Sequence, residues 1–117
     1  MINGIYSTQS ALGAFSTSLA VISNNVANIN TNGFKKSDVT LEESENGGVE
    51  ASIRKIDSSG SQVSCDESSD SQTEETSNVD LVEETGHMIV AQRGFEANIV
   101  SLKAQDEMQG MILDIVG

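Results

Sequence analysis

The sequence contains no proline, no tryptophan, one cysteine and one histidine in 117 residues. The absence of proline leaves long helices without a built-in breaker. Aromatic residues make up 3%, so the large anchors of a compact core are nearly missing. A single Cys65 excludes an intramolecular disulfide. Cys65 and His87 are the only thiol and imidazole, too few for a zinc site, so no metal and no cofactor is expected. As a Cys–His dyad they lack the convergent groups that catalysis needs, and the plainer reading is a surface imidazole and an incidental thiol. Basic residues are scarce as well. Six Lys and Arg face 18 Asp and Glu, a formal charge of −12. That balance argues against nucleic acid, whose phosphates require basic clusters, and against an anionic membrane surface. The apolar stretches are interrupted by polar residues, so membrane insertion is not expected. No Lys or Arg precedes Lys35 and no cleavage-site pattern is present, so a Sec signal peptide is not expected. Hydrophobic residues reach only 37%, and so short a chain buries little surface. An extended molecule that completes its core against copies or partners is expected.

What is present falls into three zones. Met1 to Phe34 carries no ionisable side chain except Tyr6. Within it Ile5, Thr8, Leu12, Phe15, Leu19, Ile22, Val26 and Ile29 recur at alternating spacings of three and four, a heptad seam with one polar member. The spacing predicts a helix over 3–30. Its opposite face is Ser, Thr, Asn and Gln, which are mediocre helix formers and offer no ion pairs. Alone in water such a helix is marginal. An ordinary solvated face carries charge; a neutral one suits packing against other subunits, where unpaired charge is costly. Asn30-Thr31-Asn32-Gly33 supplies a turn, with Lys35 and Lys36 near the negative end of the helix.

The middle zone, 37–77, is acidic and rich in serine. Val49 to Ile56 alternates, Ser58-Ser59-Gly60 signals a turn, and Gln62 to Cys65 reads as a return strand, which together predict a small hairpin. Asp66 to Ser77 reads as a mobile acidic loop. Asp66, Glu67, Asp70, Glu74 and Glu75 do not match an EF-hand loop and read as a solvated charge run. The last zone, 78–117, predicts a helix over 78–115. Asn78 or Asp80 caps it, Glu83 and Glu84 suit its first turn, and Met88, Gln92, Phe95, Ile99 and Leu102 form its seam. Ala104, Met108, Met111 and Ile115 continue the apolar positions on a shifted face, like a heptad stutter.

Two segments resemble a known family. Asn24, Asn25, Ala27, Asn28, Thr31, Gly33, Phe34 and Lys35 match, in order and spacing, the N-terminal signature of bacterial flagellar rod and hook proteins. Ser77-Asn78-Val79-Asp80 to Glu84, then Met88 to Asn98 with Gln92, Arg93 and Asn98, is similar to the C-terminal signature. The resemblance implies export through the type III flagellar gate, which replaces a Sec signal, and residence in the periplasm-spanning rod of the basal body. It implies terminal helices that pair as a coiled coil, fold on polymerisation, and contact other rod or hook subunits and the export apparatus. The chain is short even for a proximal-rod protein, while Ala91 to Asn98 leans toward the hook and distal-rod form.

The expected fold is mainly α: two long antiparallel terminal helices forming a coiled coil, with a small β or irregular insert, in one domain. The expected role is structural, not enzymatic. Leu12, Phe15, Leu19, Ile22 and Val26 are expected to face Met88, Phe95, Ile99 and Leu102, with Asn24, Asn25, Asn28 and Gly33 supplying turn geometry and inter-subunit hydrogen bonds. The alternatives are a hook-like or accessory axial protein of the same family and a non-axial two-helix adaptor.

Overall fold

A computed structural model describes residues 2–64 and 73–117. The chain runs α1 (Ile2–Ala27), β1 (Ser37–Glu43), β2 (Val49–Lys55), β3 (Gln62–Ser64), β4 (Thr73–Glu75) and α2 (Leu81–Val116). The architecture is two helices separated by a small β insert, and it is mainly helical.

Helix α1 has no acidic residue in its first turn and no basic residue in its last. Its hydroxyls fold back on the helix instead: Thr8 Oγ1 donates to Gly4 O at 2.9 Å and Thr17 Oγ1 to Gly13 O at 3.1 Å. It ends at Ala27, three residues earlier than the spacing predicts. The asparagines compete for its last carbonyls: Asn28 Nδ2 donates to Asn24 O at 2.9 Å, and Asn28 N–H is shared between Asn24 O and Asn25 O. A run of turns follows, with Gly33 in the left-handed region at φ 70°.

Helix α2 starts at Leu81, not at residue 78. Asp80 is its cap, and its carboxylate accepts from the amides of Val82 and Glu83 at 2.8 and 3.3 Å. Asn78 is drawn away from capping by other backbone groups, described below. Glu83 and Glu84 occupy the first turn, as the helix dipole favours.

The insert differs from expectation in its pairing. The partner of Val49–Lys55 is Ser37–Glu43, antiparallel, with Val39 opposite Ile53 and Leu41 opposite Ala51. Gln62–Ser64 pairs instead with Thr73–Glu75. The reason is turn chemistry. Gly47 and Gly48 have φ of 73° and 140°, and Ser44 N–H closes the loop on Gly48 O at 3.0 Å. The alternation of Val39 and Leu41 among acids was the overlooked signal. Part of the stretch read as a mobile loop is therefore strand; Asp66 to Gln72, like Cys65, lie outside the described residues.

The hairpin lies along α1, where Val49 N–H donates to Ser10 Oγ at 3.0 Å. The two helices meet along their lengths: Gln105 against Gly4 and Thr8, the Phe15 ring over Gly94, and Glu84 at Asn25. The molecule measures 83 × 25 × 15 Å. So thin a body has little interior. Among the described residues the buried apolar ones are Ala11, Ala14, Ile22 and Ala91, joined by the polar Thr8, Asn25 and Glu84. Among the described residues no helix is long and apolar enough to cross a membrane.

Candidate functional site

Among the described residues, a dense polar cluster sits where α1 ends, β1 begins and α2 starts. Asn25, in the last turn of α1, is 1% exposed. Its Oδ1 accepts from Ser37 N–H at 3.0 Å, and its Nδ2 donates to Ser37 O at 2.7 Å. Nδ2 also donates to Glu84 Oε2 at 3.2 Å. The donor on Ser37 fixes which end of the amide is oxygen.

A second asparagine holds the preceding residue. Asn78 Oδ1 accepts from Lys36 N–H at 2.6 Å, and its Nδ2 donates to Ile56 O at 2.8 Å and Ser58 O at 3.0 Å. Lys36 and Ser37 are thus gripped through their main chain by one amide before the insert and one after it. A carboxamide suits both positions, because it offers a donor and an acceptor side by side to main-chain groups. The grip is reinforced by Ile56 N–H to Lys36 O at 2.9 Å and Gly33 N–H to Glu75 O at 2.7 Å.

Charge follows the same geometry. Lys35 pairs with Glu75 and donates to Ser58 O at 3.0 Å, while Lys36 pairs with Glu83. The hydrogen bond from Lys35, and then the Gly60 amide, hold the Glu75 carboxyl below its ordinary value. The hydrogen bond to Glu83 raises the Lys36 ammonium above its ordinary value, against a smaller opposing effect of burial. Glu84 is 2% exposed, and Asn25 supplies the hydrogen bond that a buried carboxylate needs.

Of the N-terminal seam, Ile22 is buried, and Ile5, Leu12, Phe15, Leu19, Val26 and Ile29 are half-buried. Met88, Phe95, Ile99 and Leu102 are half-buried on α2. Among signature positions, Asn25 is buried; Asn28, Phe34, Asn78, Val79 and Asn98 are half-buried; Asn24, Ala27, Thr31, Gly33, Asp80, Gln92 and Arg93 are exposed. Asn98 Nδ2 donates to Gly94 O at 2.8 Å within α2, and Arg93 pairs with Glu96 at 2.9 Å on the surface. Of the five acids weighed for calcium, Glu74 accepts from Asn32 and Glu75 pairs with Lys35; Asp66, Glu67 and Asp70 lie outside the described residues. Among the described residues no group of three His, Cys, Asp or Glu is placed to hold a metal.

Sequence reasoning missed Glu84, Ser37 and Glu75 as members of the junction. Glu84 was discoverable, since it continues the three–four spacing of Met88, Ala91 and Phe95 toward the N-terminus. Ser37 takes part through its main chain only, which leaves no trace in residue type.

Comparison with known proteins brings the two halves of this junction together. Residues 5–35 match the family described as flagella basal body rod protein, and residues 70–115 match flagellar basal body rod FlgEFG protein C-terminal. A stretch of 43 residues is 51% identical to the flagellar basal-body rod protein FlgG of Bacillus subtilis (strain 168). That stretch is 37% of this chain and 16% of the relative, so the match spans about a sixth of the relative's length.

Proposed function

Since the chain belongs to the flagellar basal-body rod protein family, we propose that it is a structural subunit of the rod, exported by the type III flagellar gate and polymerised through its terminal helices. The family is a structural one, and the chain is not an enzyme. Its site of action is the periplasm-spanning axis, and its partners are further copies, other rod or hook subunits and, during export, the secretion apparatus.

One observation carries this reading: the two family matches, at opposite ends of the sequence, meet at the Lys36–Ser37 backbone through Asn25 and Asn78. The junction brings both terminal helices to one place, as a subunit built around them requires. The helices are antiparallel in this reading. As α1 is followed through Gly4, Phe15 and Asn25, its partners run backward through Gln105, Gly94 and Glu84. Leu12, Phe15, Leu19, Ile22 and Val26 form a coiled-coil seam with Met88, Phe95, Ile99 and Leu102. Folding is coupled to assembly, because the neutral, Ser- and Asn-rich α1 is a weak helix by itself. A heterologous contact that does not close on itself then yields a tube.

Mass spectrometry of purified hook–basal bodies tests the assignment. Several copies of the chain per basal body are expected, and a Leu19→Asp chain should be exported but absent from them. Absence of the unaltered chain from basal bodies, with the protein recovered free in the cytoplasm, overturns the assignment. Incorporation of Leu19→Asp at the unaltered level removes the seam alone.

A further inference from the structure

Helix α2 has two apolar faces, and α1 covers only one. The covered face repeats on seven: Glu84, Met88, Ala91, Phe95, Asn98 and Leu102 are buried or half-buried. On the other side Val82, Ile89, Val100, Met108, Met111 and Ile115 are 83%, 55%, 66%, 46%, 60% and 84% exposed. Between them stand the small Gly86, Ala97 and Ala104 and the charge of Arg93, with Glu96 and Glu107 along one edge. This second stripe repeats on eleven: Val82, Arg93, Ala104 and Ile115 in one row, Ile89, Val100 and Met111 in another. An eleven-residue repeat follows about 3.67 residues per turn, close to a straight helix, so the stripe holds one side of α2 throughout. At 1.5 Å per residue it is about 50 Å long.

We infer that this stripe is an interface, and that its occupant is the open face of α1 in a second copy of the chain. The inference rests on the reading of the protein as an assembling subunit and adds which surfaces meet. Charge selects the partner. Two copies at −12 repel wherever their acids approach, so they can meet only where both are neutral. Helix α1 has no ionisable side chain but Tyr6. Its exposed Gln9, Gly13, Ser16, Ala20, Ser23 and Ala27 recur at alternating spacings of four and three. These are mostly small residues, into which the bulky ridge of α2 can settle. Arg93 enters such a contact already paired with Glu96. The contact is heterologous, because the α2 stripe of one copy meets the α1 face of the next and leaves both complementary surfaces free at the ends.

Complementation between two blocked variants tests this. Val100→Glu blocks the stripe and Ser16→Glu blocks the α1 face; both positions are exposed, and circular dichroism at a dilution where every chain is monomeric should match the unaltered full-length chain. Sedimentation is followed at rising protein concentration, with ammonium sulfate added to strengthen apolar burial. The unaltered chain should grow into a broad distribution of oligomers. Each variant alone should stay monomeric, and an equal mixture should form dimers and stop, since one good contact remains. Met111→Glu should behave as Val100→Glu does. Assembly of Ser16→Glu like the unaltered chain would mean that α2 stripes pair with one another, and it overturns the inference. So does normal assembly of Val100→Glu, a mixture that stays monomeric, or an unaltered chain that never associates. Presence in basal bodies is a separate readout, so the contact and the rod assignment can fail independently.

Discussion

The two ends of α2 obey opposite rules. Its first turn buries a carboxylate: Glu84 is 2% exposed and hydrogen-bonded to a buried amide. Its last turns leave apolar side chains in water, with Ile115 and Val116 at 84% and 81% exposure. A domain that completes itself does the reverse at both places. The difference separates what the chain fixes internally, a polar knot that sets the angle between two helices and a hairpin, from what it leaves for others to cover. Exposed apolar area on this scale marks an association surface.

The largest effect is expected at the knot. Asn25→Ala removes the donor to Glu84 and both partners of Ser37, leaving buried groups unsatisfied. The cost should be about 3 kcal/mol, seen as a lower urea midpoint. A loss below about 0.5 kcal/mol would show that water replaces the amide and that the knot is not a determinant.

Glycines sharpen the contrast between a covered and an open stretch of the same helix. A methyl group at Gly94 would overlap the Phe15 ring, whereas nothing lies within 4 Å of one at Gly110. Gly94→Ala should lose about 1 kcal/mol, overpacking outweighing the gain in helix propensity, and Phe15→Leu should recover it. Gly110→Ala should instead gain up to about 1 kcal/mol. Thermal melts of the three variants separate these outcomes, and equal behaviour of the two glycines would remove the distinction.

The smallest effect is in pH. The Glu75 carboxyl lies below its ordinary 4.5 in the folded chain, so its contribution is complete above that value and is lost as pH falls through the lowered one. Lys36 lies above its ordinary 10.5, so its contribution is intact below that value and is lost as pH rises through the raised one. Amide protection, taken relative to the intrinsic exchange rate at each pH, should therefore fall at the junction in both windows, while residues 108–116 show no such dependence. Glu75→Gln should flatten the acid side only; an unchanged acid response would assign it to other carboxylates.

Much of this was legible beforehand. The three–four spacing from Ile5 to Ile29 placed α1, and Asp80 with two following glutamates placed the start of α2 to within three residues. Within the chain, Asn25 and Asn78 make main-chain hydrogen bonds that residue type alone did not reveal. The hairpin was misassigned because flanking Asp38, Glu42 and Glu43 hid Val39 and Leu41, and because strand pairing depends on which turn closes. Glu84 was read as a helix-dipole residue when it is also the partner of an amide 59 positions away.

By itself the sequence determined two long helices, through periodicity, absent proline and a strong cap, because these depend on neighbours within one or two turns. It also determined the −12 charge, which opposes the approach of acidic faces to one another. Only the tertiary structure decided that Asn25 and Asn78 close on successive peptide groups, that β1 and not β3 pairs with β2, and that one of two apolar faces of α2 remains open. Those outcomes depend on where distant segments come to lie, and a side chain's partners are set by that placement, not by its own type.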